Sequence, residues 1–288
     1  MSVAIEAKTE EADETLVQES GLVRVRRCRH GLMAYITHDS YIGRSLDLYG
    51  EFSSGEAEVF SQMIKPGMWV LDVGANIGAH AVLFAQKAGP KGRVIAFEPQ
   101  RVLYQLLCAN LGMNGLFNVD LRNAAAGSTA GELHVPPVDY GREGNYGSLS
   151  LGQWTEGAKV PIEPIDSLNL PACHFIKADV EGMEAEVIRG ARETIRKHRP
   201  VIYVENDREA KSKELNELIF SLDYRCFWHF TPYYSSKNLL GNPENVFEGV
   251  YSINMLCVPK ESAIQINGLR ELQSAEEDWI TVGKGKRV

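Results

Sequence analysis

The sequence predicts an α/β fold, in which helices cover both faces of a mostly parallel sheet. Apolar runs typical of buried strands alternate with segments of helical periodicity, and four of these runs end in an acidic residue, Asp72, Glu98, Asp179 or Glu205. Parallel strands joined by helices bring their carboxyl ends to one edge of the sheet, where such folds bind ligands. We therefore expect the four carboxylates to face one site.

The same pattern divides the chain into segments. With 288 residues, 44% of them hydrophobic, the chain can bury a full core. Strands are expected at 69–71, just before Glu98, and at 119–125, 174–179, 201–204, 224–230 and 251–259. The predicted segments are an acidic tail at 1–20, strands and a cofactor-covering helix at 21–66, the α/β domain at 67–260 with an inserted hairpin or loop at 132–165, and a C-terminal extension at 261–288.

The turn after the first sheet strand predicts a nucleotide-type ligand. Its sequence, Asp72 to Gly78, reads DVGANIG, and Gly74 and Gly78 let a strand turn into a helix with no Cβ in the way. A ligand can then approach the main chain and the N–H groups of the helix start. Glu98 ends the next strand, where a carboxylate can accept both hydroxyls of a ribose. Together these features indicate an adenosine-containing cofactor.

The turn differs from a dinucleotide-binding loop, and this difference decides between cofactors. A dinucleotide site requires G-x-G-x-x-G, whereas Asn76 stands where close approach of a pyrophosphate favours glycine. Asp72 is expected to point its charge toward the pocket, which would repel a pyrophosphate and attract a cationic amino-acid end. S-adenosylmethionine fits, because it carries a sulfonium, an ammonium and only one carboxylate. The small residues Ala124 and Ala125, which follow Asn123 at the third strand end, leave room for an adenine ring.

Composition excludes several other classes of protein. A net charge of −8 argues against a general affinity for nucleic acid. The five cysteines are scattered without a C-x-x-C pair, which indicates neither a disulfide framework nor a zinc site. Since no segment reads as a signal peptide or a membrane span, we expect a cytoplasmic protein without a membrane partner.

Four motifs carry a resemblance to a known family. They are DVGANIG at 72–78, AFEP at 96–99, KADVEGME at 177–184 followed by Gly190-Ala191, and GNPENVF at 241–247 with NMLC at 254–257. From about Tyr41 to Pro259 the chain resembles the FkbM-type S-adenosylmethionine-dependent methyltransferases. The resemblance implies a class I methyltransferase, Rossmann-like sheet of seven mostly parallel strands, the last antiparallel. It also implies methyl transfer, most often to a hydroxyl of a natural product or sugar and in some members to a peptide side-chain amide.

The resemblance also assigns residues to the amino-acid end of the cofactor. The Glu-Tyr pair of the family corresponds here to Glu51-Phe52, and an aromatic residue followed by Thr corresponds to His80-Ala81. The predicted cofactor-binding residues are Glu51, Phe52, Asp72, Gly74, Ala75, Asn76, Gly78, His80, Glu98, Pro99, Asn123, Ala124, Ala125 and Asp179.

The expected chemistry requires little besides positioning, because a sulfonium methyl group is already activated. A hydroxyl acceptor also benefits from a general base, and the candidates are Asp179, Glu181, Glu205 and His229. Asp179 is the first candidate, although it can equally stabilise the start of the following helix. No spacing requires a metal, so we predict none, while Mg²⁺ between Asp179 and Glu205 stays an alternative.

The acceptor is expected to contact loops at the same edge of the sheet. The candidate substrate-binding residues are Asn145, Tyr146, Asn206, Tyr233, Asn238, Asn242 and Asn245, and turn formation explains the last three equally well. We predict methyl transfer to a hydroxyl oxygen of a small-molecule natural product or glycan. The alternatives are transfer to an amide or amine nitrogen of a peptide, a nicotinamide-dependent oxidoreductase, and a non-catalytic cofactor-binding protein.

Overall fold

The computed structural model describes residues 15–280, so the first fourteen residues of the predicted tail and residues 281–288 lie outside the described part. The strands in chain order are β1 Leu16–Ser20, β2 Val23–Cys28, β3 Gly31–Ile36, β4 Trp69–Val73, β5 Arg93–Phe97, β6 Val119–Arg122, β7 Ala125–Ala126, β8 Gly131–Val135, β9 Ala158–Glu163, β10 Phe175–Ala178, β11 Val201–Glu205, β12 Tyr224–Pro232, β13 Tyr251–Pro259 and β14 Arg270–Glu271. The α-helices are α1 Ile42–Tyr49, α2 Ser54–Met63, α3 Ala79–Ala88, α4 Arg101–Met113, α5 Glu184–Gly190, α6 Arg192–His198 and α7 Glu209–Phe220.

The main sheet has the order β14-β12-β13-β11-β10-β4-β5-β6. Strands β4, β5, β6, β10 and β11 pair in parallel, whereas β13 runs antiparallel to both of its neighbours. The predicted sheet of seven mostly parallel strands with an antiparallel last strand is therefore confirmed. The short strand β14 adds an eighth strand at one edge, which the sequence pattern did not indicate.

Two predicted elements differ from the structure. The third strand was expected to run from Val119 to Ala125, but it leaves the main sheet after Arg122, and Ala125–Ala126 pairs with β9 in a separate sheet. The part of the predicted acidic tail that is described is also wrong as a tail, because Leu16–Ser20 pairs with β2. The partner of β7 lies far along the chain, at Ile162 and Glu163, whereas β1 and β2 form a local hairpin that the acidic composition of the segment concealed.

Two small sheets flank the main one. Strands β1, β2 and β3 form an antiparallel sheet beside α1, and strands β8 and β9 form a hairpin that pairs with β7. The 136–157 segment within this hairpin is fixed to the loop between β3 and α1, because Gly144 exchanges backbone hydrogen bonds with His38 and Ser40. Ser150 Oγ donates to the carbonyl of Glu181 at 2.8 Å. The segment is therefore held over the carboxyl edge of the main sheet.

Apolar cores on both faces hold this edge in place. On one face, Phe60 makes edge contacts with Phe84, Phe175 and Tyr203. On the other face, Ile176 and Ile202 are completely buried under α5, α6 and α7. Side chains at the strand ends are thus attached to a closely packed frame. In residues 15–280, no helix combines the length and the apolar character that a bilayer crossing requires.

Candidate active site

A cavity lies at the carboxyl ends of β4, β5, β10 and β11, and it brings together residues predicted for cofactor binding, for catalysis and for substrate binding. The predicted residues that line it are Phe52, Gly74, Ala75, Asn76, His80, Glu98, Pro99, Ala124, Ala125, Asn145, Asp179, Glu181, Glu205 and Tyr233. The predicted residues outside this lining are Glu51, Asp72, Gly78, Asn123, Tyr146, Asn206, His229, Asn238, Asn242 and Asn245. Lining residues that the sequence did not indicate include Tyr41, Glu56, Gln100, Leu149, Leu151, Lys177, Met183 and Ser252.

The turn after β4 requires its glycine. Gly74 has φ of 78°, and a Cβ atom at this position would stand 1.8 Å from the carbonyl oxygen of Asp179. Its backbone therefore crosses directly beside the start of the loop after β10. Asn76 also has a positive φ, 52°, an uncommon conformation for a residue with a side chain. Glu181 is a third such residue, with φ of 56°, so strained backbone lies on both sides of the cavity.

The carboxylate of Glu98 is held in a fixed orientation as a hydrogen-bond acceptor. Its carboxylate is buried, and one oxygen accepts from the backbone N–H of Asn76 at 2.8 Å while the other accepts from that of Gln100 at 2.8 Å. A carboxylate has about four acceptor positions, so each oxygen keeps capacity for a further donor. Burial raises the pKa of Glu98 to about 7 despite these two N–H groups. Asn123 supports this strand end, since its amide donates to the carbonyls of Glu98 and Pro99.

Asp72 does not point into the cavity, contrary to the prediction from sequence. The residue is fully buried, and Lys177 from the adjacent strand β10 lies between it and the cavity. The ammonium of Lys177 is 3.5 Å from Asp72, 3.3 Å from Asp179 and 3.2 Å from the carbonyl oxygen of Gly74. Burial opposes the charge of Lys177, but Asp179 and Asp72 outweigh it and raise its pKa. A buried cation therefore joins the Gly74 turn after β4 to Asp179, the first candidate for the general base.

Three carboxylates form an acidic cluster at the end of the cavity next to β11. Carboxylate oxygens of Asp179, Glu181 and Glu205 all lie within 4.8 Å of one another. Burial and the neighbouring Asp179 raise the pKa of Glu181 to about 8, although Arg208 donates a hydrogen bond to it. The pKa of Glu205 is raised well above its ordinary value, chiefly by burial. Such a cluster attracts positive charge or retains protons, and its spacing alone assigns no metal.

A buried network supports His80. Its Nε2 lies 3.0 Å from the carboxylate of Glu56, which is buried in α2 and accepts from Ser252 Oγ at 2.7 Å and Asn254 Nδ2 at 2.6 Å. Despite its burial, these donors lower the pKa of Glu56 to about 2, the hydrogen bond from His80 contributing most. The sequence could not reveal Glu56, because its partners belong to three other elements.

His229 lies outside the cavity lining. Its Nδ1 is 2.8 Å from the hydroxyl of Tyr203, which is also within 3.3 Å of Glu56. Burial lowers the pKa of His229. This placement corresponds to the packed histidine that is common in protein cores, and it gives His229 no contact with the acidic cluster.

The other predicted residues outside the lining have internal partners. The carboxylate of Glu51 accepts from Arg29 and from the backbone N–H of Leu239. Asn238, Asn242 and Asn245 each accept from a backbone N–H two to four residues later, as turn-forming asparagines do. Further internal contacts are made by Asn206 with Asn216, by Tyr146 with the carbonyls of Tyr140 and Arg142, and by Gly78, which packs against Leu107.

An aromatic wall closes the side of the cavity near the N-terminal segment. The ring of Tyr233 contacts those of Phe52 and Tyr41 edge-on, at centroid distances of 5.5 and 5.7 Å. Phe247 packs on the same tyrosine from outside the lining, at 5.7 Å. The cavity thus has a polar end at the carboxylates and an apolar wall beside His80.

Comparison with known proteins identifies the family. The family model described as Methyltransferase FkbM domain matches residues 72–226, more than half of the chain. The protein belongs to this family, which confirms the resemblance drawn from the sequence motifs.

The matched proteins differ in length and coverage. Hexuronic acid methyltransferase AglP of Haloferax volcanii is 29% identical over 141 residues, which are 47% of this chain and 56% of AglP. Methyltransferase sdnD of Sordaria araneosa is 36% identical over 73 residues, 25% of this chain and 27% of sdnD. This chain therefore spans about half the length of AglP and about a quarter of the length of sdnD. A solved structure of methyltransferase FkbM from Methylobacillus flagellatus has a TM-score of 0.44 at 19% identity, covering 71% of this chain and 51% of that one.

Proposed function

We propose that the protein transfers a methyl group from S-adenosylmethionine to a hydroxyl oxygen of a small-molecule natural product or glycan. The observation that carries the proposal is the pairing of the Gly74 turn with the buried Glu98, whose carboxylate is oriented by two backbone N–H groups. Membership of the FkbM family supports methyl transfer. A glycan acceptor is supported by the name of AglP, which describes a hexuronic acid substrate.

The residues present fit this cofactor from end to end. Ala124 and Ala125 leave space for a flat base, and Glu98 has free acceptor positions for two ribose hydroxyls. His80 and Phe52 border the cavity where the amino-acid end would lie. When bound, S-adenosylmethionine supplies an activated methyl group.

The protein's own task is to orient the acceptor and to receive its proton. Asp179, Glu181 and Glu205 meet at the polar end of the cavity, so any of them can accept a hydrogen bond from a hydroxyl there. A base whose pKa lies near the working pH removes a proton most effectively. The pKa of Glu181, about 8, satisfies this condition. We assign general-base catalysis to this cluster, with Asp179 held in place by Lys177.

A thermal-shift comparison tests the cofactor assignment. S-adenosylhomocysteine at 100 times its dissociation constant should stabilise the protein by about 2.7 kcal/mol, or about 5 to 10 °C in melting temperature. NAD should give no shift. Glu98→Ala should abolish the shift, whereas the control Glu132→Ala, in the exposed β8–β9 hairpin, should retain it. A shift with NAD alone would refute the proposal.

The acceptor requires a second experiment. Transfer of a labelled methyl group should be measured with panels of neutral sugars, uronic acids and peptide amides. Oxygen transfer predicts a rate that rises with pH along a limb that Glu181→Gln or Asp179→Asn alters. Labelling of amides alone, with no such limb, would favour the nitrogen-methylating alternative.

A further inference from the structure

The acidic cluster of Asp179, Glu181 and Glu205 contains more negative charge than its neighbours compensate. Lys177 contacts Asp179, and Arg208 pairs with Glu181 and lies 3.3 Å from Asp207. Glu205 takes part in no ion pair among the described residues, and one of its carboxylate oxygens is buried without a hydrogen-bond partner there. The surroundings therefore leave one carboxyl group of the cluster unmatched.

The other charged groups near Glu205 do not correct this imbalance. Asp207 and Glu184 are both acidic and raise the pKa of Glu205 further, after burial, Asp179 and Glu181. Lys211, on α7, donates its hydrogen bond to the carbonyl of Gly182 instead. Two carboxylates at this separation do not both ionise easily without a cation, so the cluster retains a proton in the free protein.

The strand order places the cluster where the cofactor carries its charge. The ends of β6, β5, β4, β10 and β11 follow one another along the rim. If the base lies at Ala124–Ala125 and the ribose at Glu98, the rest of the cofactor extends past Gly74 toward Asp179. The sulfonium would then approach the cluster from the side of β4.

We propose that the acidic cluster exchanges its proton for the positive charge of the cofactor. The inference rests on the proposed function. The cluster holds a proton in the free protein, releases it when the sulfonium binds, and is thereby ionised when the acceptor arrives. It then accepts the hydroxyl proton as the O–CH₃ bond forms and the S–CH₃ bond breaks, the electron pair of the latter remaining on sulfur. The neutral thioether product leaves a protonated cluster, so the free state is restored.

This exchange makes cofactor binding depend on pH in a charge-specific way. A ligand whose binding releases one proton binds up to tenfold more tightly for each unit of rising pH, between the pKa of the group in the complex and its higher pKa in the free protein. S-adenosylmethionine and S-adenosylhomocysteine differ only in the methyl group and its charge. Their shared amino and carboxyl groups contribute equally, so the difference between their pH profiles reports the cluster.

Isothermal titration calorimetry tests the proposal. Each ligand should be titrated without acceptor, near pH 7, in phosphate and in Tris, whose heats of ionisation differ. The apparent enthalpies in the two buffers should indicate about one more proton released with S-adenosylmethionine than with S-adenosylhomocysteine, and this excess is the release from the cluster. Any proton that Glu98 releases near its pKa of about 7 is common to both ligands, which share the ribose. Glu205→Gln should reduce the release to less than half, with Glu181→Gln as a second variant. Glu193→Gln, an exposed residue of α6, is the matched control.

The outcomes separate the proposal from the function on which it rests. Equal proton release with both ligands would overturn it, as would undiminished release in both cluster variants. Binding of neither ligand would instead refute the cofactor assignment.

Discussion

Replacing Lys177 by methionine tests the buried charge at the centre of the site. The substitution retains the length of the side chain but removes the ammonium that lies 3.5 Å from the fully buried Asp72. At an effective dielectric constant of 20, two unit charges at this distance attract by about 5 kcal/mol. Because a buried charge left alone costs about 3 to 5 kcal/mol, we expect Lys177→Met to lower the free energy of unfolding by roughly that amount at pH 7.5.

Urea unfolding of a double-mutant cycle provides the measurement. Asp72→Asn alone should also destabilise, whereas Lys177→Met combined with Asp72→Asn should cost much less than the sum of the two single changes. The cost of Lys177→Met should shrink at pH 5, since burial raises the pKa of Asp72 and protonation then removes the orphaned charge. Lys159→Met breaks an exposed pair with Glu132 and should change stability by less than about 1 kcal/mol.

Two results would contradict a buried ion pair between Lys177 and Asp72: additive costs of the two single changes, or a cost of Lys177→Met below about 1 kcal/mol at pH 7.5. Either result would mean that Asp72 is already neutral in the native protein. A loss that is equal at pH 5 and pH 7.5 would point to packing of the lysine stem rather than to its charge.

Gly74→Ala should destabilise the protein by at least about 2 kcal/mol in urea unfolding, because its Cβ would meet the Asp179 carbonyl at 1.8 Å. Gly67→Ala, with φ of 87° and open space, should cost only about 1 kcal/mol. Between about pH 5 and 8 the folded protein retains protons on Glu98 and Glu181 that the unfolded chain has lost, since their pKa values are raised to about 7 and 8. The free energy of unfolding should therefore fall as pH rises across this range, and Glu181→Gln should flatten the fall. Methyl transfer should proceed unchanged in EDTA, and a requirement for Mg²⁺ would contradict the prediction of a metal-free site.

The parallel sheet was predictable because its strands are continuous apolar runs with turn residues at their ends. The pairing of Gly74 with Glu98 was predictable for the same local reason, since both lie at fixed offsets from a strand end. Lys177 was missed because a single lysine in an apolar strand gives no sign of its partner. Only the register that places Lys177 opposite Asp72 reveals the ion pair, and this register also explains why Asp72 faces the lysine rather than the cavity.

The asparagines and His229 show a different limit of prediction from sequence. Sequence identifies polar residues near a sheet edge, but it cannot tell whether their hydrogen-bonding groups are used internally. The side chain of Asn238 donates to the carbonyl of Asn242 and accepts from its backbone N–H, and His229 bonds to Tyr203. Glu56, in contrast, lies in a helix with no recognisable motif. Its carboxylate nevertheless forms hydrogen bonds with side chains of α3, β11 and β13. Long-range contacts decided the positions of His229 and Glu56, whereas the asparagines bond within their own turn.

In the free protein, the candidate site buries carboxyl groups whose ionisation is unfavourable, and bound ligands can reduce this electrostatic cost. Burial opposes the charged forms of Glu98, Glu181 and Glu205, while Lys177 is already engaged by Asp72 and Asp179. Hydrogen bonds from ribose hydroxyls would reduce the cost of ionising Glu98 whichever form of the cofactor is bound. Only a positive charge would reduce the cost of ionising the acidic cluster. Methyl transfer removes the positive charge of the sulfonium. If the proposal holds, the carboxylates that favour binding of the charged methyl donor would favour it less once the reaction has made it neutral, and this would promote release of the product.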